Sequence, residues 1–308
     1  MNKKIDYHTL VIAPRMPTPF VDAGSKQMVN FLRLLKEVSS TVTFIPVFLG
    51  SWPPFDKTLS QDTEFIINEG VQVPDVDKIK NVTEFISSCE NDYNLVVLSD
   101  KYTVKKHSSE VRKKFPKAQV VFDTQDLHYV RYFREAKARG SVEMLKRAMI
   151  SKGEELEAVN NVDSTIVVST VEKNILHKEC PGASVHKIYY LQDIYEAKNP
   201  YENRQGIMFI GSFFHTPNLD AIDYFIKDIF PLVLQKIPDI KLYLIGAAPP
   251  EHITKLQSEN IIVTGFVPEL RTWYEKSRLS IAPLRFGAGV KQKVLESLSY
   301  SLPVVGTS

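Results

Sequence analysis

The chain reads as an α/β protein built from two doubly wound parallel-sheet domains. Three observations predict this. Short apolar runs alternate with longer stretches of helical spacing, the habit of sheets whose strands are joined by crossover helices. The alternation pauses at residues 195–205, a polar stretch holding Pro200, and then restarts. Residues 282–298 followed by 302–308 read as a buried strand, a glycine loop, a helix opening with basic residues, and a second buried strand.

In the first unit the apolar runs at 9–13, 41–46, 95–98, 119–122 and 164–168 are the expected strands. Between the first two, a helix over 27–36 sets Met28, Phe31, Leu32 and Leu35 on one face. A longer helix over 142–159 is expected to turn Met144, Leu145, Ala148 and Met149 inward, and a short one covers 172–177. In the second unit the strands are expected at 207–210, 241–245, 261–264, 279–282 and 303–305. Helices fit between them at 218–230, 251–257, 270–276 and 290–300. The domains are therefore 1–200 and 201–308. The second is small for its type and ends just after an apolar strand, so it reads as truncated at Ser308.

Two such units face each other across a cleft at the carboxyl ends of their strands. In the last segment, Gly287 and Gly289 allow close backbone approach to a ligand, and the helix after them points its free N–H groups at an anion. Arg285, Lys291 and Lys293 add full charges, and Glu296 lies one to two turns on, within reach of hydroxyls. This suits a nucleotide diphosphate. The loop is neither a Walker A sequence nor a dinucleotide fingerprint, which needs a glycine where Gln292 stands. The plain alternative is a tight turn with solvated lysines.

Composition narrows the class. A hydrophobic share of 44% and a charged share of 24% are those of a soluble globular protein. A net charge of +2 argues against a nucleic-acid binder that relies on its overall field. Two cysteines, Cys89 and Cys180, suggest neither a disulfide framework nor a zinc site and fit a reducing cytoplasm. No apolar run approaches the roughly 20 residues of a spanning helix, and the one at 10–13 is too short for a signal peptide. The basic run 101–107, with 112–114, is a solvated helix face or one turned to anionic lipid, so peripheral membrane contact stays open.

The motifs Phe209-Ile-Gly-Ser-Phe-Phe-His-Thr-Pro-Asn218, Leu242-Tyr-Leu-Ile-Gly246, Gly265-Phe-Val-Pro268 and the segment 282–308 occur in the order of a known family. Together they resemble the donor-binding domain of GT-B glycosyltransferases of the glycosyltransferase 4 ("group 1") type, over nearly all of 206–308. The first half is similar more loosely: the glycine loop at 14–26, the segment 121–128 carrying the family's active-site histidine, and the strand 162–169. The resemblance implies sugar transfer from a nucleotide-sugar donor, UDP- or GDP-linked, retaining, with no bound metal and no cofactor. It places Gly211 and the glycine loop at the phosphates, Val267 with Phe266 beside the base, and Glu296 at the ribose. It places Gly24 and Ser25 near the phosphate or the acceptor hydroxyl, and His128 against the transferred sugar. Arg285, Lys291 and Lys293 would neutralise charge growing on the departing diphosphate.

Two departures stand out. Ala288 occupies the position of the first glutamate in the family's Glu-x7-Glu pattern, and the Arg and Lys pair usual after the donor domain's first strand is missing. Other readings stay beside the sharp ones. Asp126 orients His128 or caps the following helix; Asp123 reads as structural. Tyr129, Tyr132 and Phe133, with Arg131, Arg134 and Lys137, form an ordinary amphipathic face or flank an acceptor sugar or lipid phosphate. Trp52-Pro-Pro-Phe55 is a surface turn or a loop at the acceptor cleft. The expected function is transfer of a hexose-type sugar to a glycan or lipid-linked acceptor in bacterial surface-polysaccharide synthesis. The alternatives are a non-catalytic glycan- or partner-binding module of the same architecture and a GT-B nucleotide-sugar epimerase.

Overall fold

The computed structural model describes residues 6–18, 22–48, 59–75, 78–195 and 198–307. The segment around Trp52 lies outside these. Six parallel strands, β1 (Tyr7–Ala13), β2 (Ser39–Pro46), β3 (Leu95–Ser99), β4 (Gln119–Asp123), β5 (Ser164–Val167) and β6 (Val185–Lys187), form the first sheet. Their order is β2-β1-β3-β4-β5-β6. Helices cover both faces, so alternate residues of β1 enter different cores: Leu10 and Ile12 one, Val11 and Ala13 the other. Burial on both sides is why these strands appear in sequence as unbroken apolar runs. The edge strand β6 has only three residues and gave no such run.

The helices of this domain are α1 (Ala23–Val38), α2 (Leu59–Asn68), α3 (Val82–Ser88), α4 (Lys101–Lys114), α5 (His128–Arg139), α6 (Val142–Asn160) and α7 (Thr170–Glu179). Helix α1 buries Met28, Leu32 and Leu35 as the spacing predicts. It starts earlier than expected because Asp22 caps it, accepting from the Ser25 N–H at 2.9 Å. Gly24 therefore sits in a helical first turn rather than in a loop.

Two expectations are corrected here. In α6 the inward face is Ala148, Ser151, Glu155, Ala158 and Val159, whereas Leu145 and Met149 are 46% and 59% exposed. The helix meets α4 and α5 through small and polar residues because it closes over a buried ion cluster rather than an apolar core. In α4, Lys101 and His107 belong to the interior, so the basic run is not one exposed face.

The second sheet holds β7 (Ile207–Ile210), β8 (Leu242–Ile245), β9 (Ile261–Gly265), β10 (Leu279–Ala282) and β11 (Val304–Gly306), all parallel, in the order β11-β10-β7-β8-β9. Its helices are α8 (Thr216–Tyr224), α9 (Phe230–Lys236), α10 (Glu251–Thr254), α11 (Arg271–Lys276) and α12 (Gln292–Ser299). A π-helical turn, Phe225–Ile229, joins α8 to α9. Pro231 follows it and lacks the N–H that an α-helix would direct at residue 227, which accounts for the wider turn. Helix α10 stops short of 257, and α12 begins at Gln292 rather than at 290.

Strand order reverses between β1 and β3 in one sheet and between β7 and β10 in the other, which opens a crevice at each. The intervening segment is held to the second domain. Tyr195 donates its N–H to Ser299 O at 2.8 Å, and its ring stacks on Tyr300 at 4.3 Å, which in turn stacks on Tyr274 at 4.5 Å.

Candidate functional site

A cavity of about 1010 Å³ lies between the two sheets, lined by the loops at the carboxyl ends of their strands. Lys293, in the first turn of α12, reaches back across β7. Its Nζ is 2.6 Å from Asn218 Oδ1 and 4.1 Å from the centre of the Phe209 ring. This approach needs Gly211, where a Cβ would fall 2.6 Å from Asn218 Nδ2 and 3.0 Å from Lys293 Nζ. Lys291, the residue before α12, donates to Ala288 O at 2.6 Å. The partners of both lysines are thus neutral oxygens.

The electrostatics follow. Burial, and then the charge of Lys291, bring the Lys293 ammonium down to about 7. Burial lowers Lys291 as well, with Arg134 and Arg131 adding to the effect against the pull of Asp126. His215, the residue before α8, falls to about 4, first through burial and then through Arg131 and Lys293. Three bases thus converge on one partly buried spot that supplies too little negative charge to balance them.

The glycine loop is fixed from the opposite domain. Gly289 has φ +64° and donates its N–H to Glu172 Oε1 at 3.1 Å. Glu172, on α7, is buried and also accepts from Leu127 N at 3.1 Å and Ser169 Oγ at 2.8 Å. Arg134 of α5 donates to Gly287 O at 2.6 Å. Ala288 is buried against the core of the first domain.

Arg285 goes elsewhere. Its guanidinium binds Asp220 of α8 through both arms, Nε to Oδ2 at 2.9 Å and Nη2 to Oδ1 at 2.5 Å, and it does not line the cavity. Asp220 is buried and takes the nearer cation, so the charge expected of Arg285 does not enter the cleft. Arg131 of α5, which lines the cavity, brings one instead.

His128 begins α5 and lines the cavity with Asp126. Its Nε2 is 3.2 Å from Asp126 Oδ1, and Arg131 Nη1 donates to Asp126 Oδ2 at 3.0 Å. Asp126 Oδ1 stands beside the imidazole without a hydrogen bond to it, and Asp126 caps no N–H of α5 either. The N–H groups at the start of α5 are taken by other carboxylates, Leu127 N by Glu172 and Tyr129 N by Glu155. Asp123 is buried beneath the sheet end and accepts from Ser99 Oγ at 2.9 Å, a structural place.

Glu296, in α12, faces the cavity with its Oε1 2.7 Å from Lys26 Nζ of α1. Val267 and the half-exposed Phe266 line the end of the cavity beyond β9, and Gly24 lines its first-domain wall. The cavity thus gathers His128, Lys291, Lys293, Glu296, Gly24, Gly211, Val267 and Gly289, while Gly287 and Arg285 do not line it. Lys26, Arg131, His215 and Asn218 join them. Thr216-Pro217 opening a helix just after an apolar strand is the local signal that would have pointed to His215 and Asn218. Glu155 and Glu172 carry no local signal, because their burial is tertiary.

Residues 204–308 match the family described as "Glycosyl transferases group 1". A Klebsiella pneumoniae protein described as an "uncharacterized 44.6 kDa protein in cps region" is 32% identical over 112 residues. That match covers 33% of this chain and only 29% of the relative. Sucrose-phosphate synthase from Thermosynechococcus elongatus superposes with a TM-score of 0.67 at 13% identity, over 97% of this chain and 81% of that one. Anabaena HepE, in complex with UDP and glucose, gives 0.63 at 12% identity, over 96% and 80% of the two chains. Among the described residues no helix is long and apolar enough to cross a membrane. The chain has the GT-B fold, and within it residues 204–308 are similar to the group 1 glycosyl transferases.

Proposed function

We propose that this protein transfers a sugar from a UDP- or GDP-linked donor to a glycan or lipid-linked acceptor, with retention and without a metal or cofactor. The observation that carries this reading is the convergence of Lys291, Lys293 and His215, all depressed as bases and set beside a glycine loop. A nucleoside diphosphate supplies the negative charge they lack, and supplies most of it as the sugar departs. That places catalysis in differential stabilisation of the leaving group by Lys291 and Lys293 together with the N–H groups at the start of α12. Glu296 takes the ribose hydroxyls, the backbone at Phe266 and Val267 lies beside the base, and Gly24 sits near the phosphate or acceptor. The transferred sugar then lies against His128 and Asp126. Asp126, which lies beside Gly289, thus offers a carboxylate to a loop that has none at Ala288. HepE, a protein of the same fold, has been seen with UDP-glucose, which supports a UDP donor. The relative in a cps region supports a role in surface-polysaccharide synthesis, and the cytoplasm is the place we propose for it.

Calorimetry with UDP and with GDP tests the donor site. The chain is expected to bind one of them, and Lys291→Ala/Lys293→Ala to lose that binding, since two charge-assisted contacts contribute roughly 3–6 kcal/mol. Binding that survives the double substitution would remove the donor site from this place. Binding without turnover on any acceptor would favour a non-catalytic module.

A further inference from the structure

Glu155 is deeply buried and takes no part in the chemistry above. It projects from α6 at the first turn of α5, where its Oε2 accepts from Tyr129 N at 3.3 Å. Its Oε1 lies 3.7 Å from His128 Nδ1, on the ring edge away from Asp126. The same oxygen accepts from Ser151 Oγ at 3.1 Å and lies 3.7 Å from Lys101 Nζ. Lys101 is buried too, but it is already paired with Glu154 at 2.9 Å and donates to Ser151 at 2.6 Å. The imidazole thus stands between two carboxyl groups held by different elements, one of which has little spare positive charge beside it.

Which group holds the proton decides what the ring presents. The groups facing His128 are Asp126, Arg131, Asp100 and Lys101, besides Glu155 itself. Burial, helped by Arg131 and Lys101 and opposed by Asp126 and Asp100, holds His128 below its ordinary value. Burial pushes Glu155 up to about 7, against Lys101 and the bonds from Tyr129 N and Ser151. Of the two groups, the carboxyl therefore holds a proton more readily than the ring.

We propose that Glu155 is a positioning residue for His128, its carboxyl proton facing Nδ1 and so fixing the ring as the Nε2–H tautomer that serves the cleft. No atom is exchanged with substrate. The proton stays on Glu155, Nδ1 accepts from it, and Nε2–H is directed to the Asp126 side, where the transferred sugar is placed by the proposed function on which this inference rests. The 3.7 Å separation closes by a small side-chain rotation, as such contacts tighten when substrate binds. A ring of undefined tautomer would present an acceptor as often as a donor to the same sugar oxygen.

The test compares Glu155→Gln, which keeps the size and a donor but cannot titrate, with Glu155→Met, which keeps the size alone. Nitrogen-15 NMR of histidine-labelled protein from pH 5 to 9 reads the tautomer of His128 directly, whether or not the chain turns over. The unaltered protein is expected to show the Nε2–H tautomer, with an inflection near pH 7. Glu155→Gln should keep that tautomer and lose the inflection, and Glu155→Met should show a mixture. In transfer assays Glu155→Met should lose about 10-fold or more in kcat with KM changed less than about threefold, while Glu155→Gln stays within about threefold. An alkaline limb in kcat should vanish in Glu155→Gln. A limb from Lys293 is separable because Lys293 is unaltered in both variants, so only a limb that disappears in Glu155→Gln belongs to Glu155. The proposal is overturned if Glu155→Met keeps the tautomer and pH response of the unaltered chain, or if Glu155→Gln loses as much as Glu155→Met. Should no donor be turned over by any form, the proposed function fails, and the NMR result still decides the role of Glu155.

Discussion

Lys26 Nζ, in the first turn of α1, lies 2.7 Å from Glu296 Oε1, in the middle of α12, and so ties the first domain to the carboxylate proposed to bind ribose. Both side chains are partly buried, at 26% and 12% exposure, where an ion pair is less screened than at an open surface. The neighbouring Gln27 Nε2 donates to Gln292 Oε1, so two successive residues of α1 grip α12. Ribose hydroxyls must share Glu296 with Lys26. Replacing Lys26 by Met should loosen the cleft, seen as a larger radius of gyration by small-angle X-ray scattering. Glu296→Gln should weaken nucleoside-diphosphate binding about tenfold, the difference between a charged and a neutral acceptor. An unchanged affinity would take Glu296 out of the donor site.

Lys293 makes donor binding proton-linked. With its ammonium brought down to about 7, much of the empty site is uncharged there at pH 8, and a bound diphosphate restores the proton. Calorimetry in buffers of different ionisation enthalpy should show uptake of nearly one proton per nucleotide at pH 8 and little at pH 6. The same shift has a sign for stability. The folded value lies below the unfolded one, so folding carries a penalty that is fully present below pH 7 and fades as pH rises towards the unfolded value near 10.5. Lys293→Met should therefore raise stability at pH 6 by roughly 1–3 kcal/mol while abolishing nucleotide binding. A variant melting lower than the parent at pH 6 would contradict the assignment.

Arg285 should matter for stability and not for the ligand. Its loss leaves the buried Asp220, among the described residues, with Arg139 alone, at 3.9 Å. Arg285→Ala is expected to cost about 1–3 kcal/mol in denaturant titrations, through an undercompensated carboxylate, with nucleotide affinity within about threefold. A large loss of affinity in a folded variant would return Arg285 to the phosphates.

Gly289 is irreplaceable on two grounds. At φ +64° a side chain is strained, and its Cβ would lie 3.1 Å from Asp126 Cβ and 3.4 Å from Val168 Cγ2. Gly289→Ala should lower stability by about 1–3 kcal/mol and displace the loop from Glu172, which a crystal structure of the variant would show as a broken bond to Oε1. An undisturbed loop would mean that Glu172 does not set its position.

Much of this was legible in the chain. Unbroken apolar runs such as Leu95-Val-Val-Leu98 mark strands covered on both faces, and all ten expected strands formed. The helices were harder, because several carry the first domain's ions inward. Leu145 and Met149 were expected inside, yet the interior of α6 is Ser151 and Glu155, whose partners Lys101 and Tyr129 lie far away in sequence. Hydrophobic spacing alone gives no warning of a polar core.

The divide between sequence and structure follows from the range of the forces. Strand runs, the Gly287–Gly289 loop and the basic residues opening α12 are local, since periodicity and backbone freedom act over a few residues. They determined the two parallel-sheet domains and marked the anion-binding segment. Where each charge points is settled by partners brought close only on folding. Asp220, 65 residues away, draws Arg285 out of the cleft. Lys26 meets Glu296 across 270 residues, and Glu172 reaches Gly289 across 117. Charges buried by tertiary packing must find whatever compensation lies within a few ångströms, and no spacing along the chain records which group that will be.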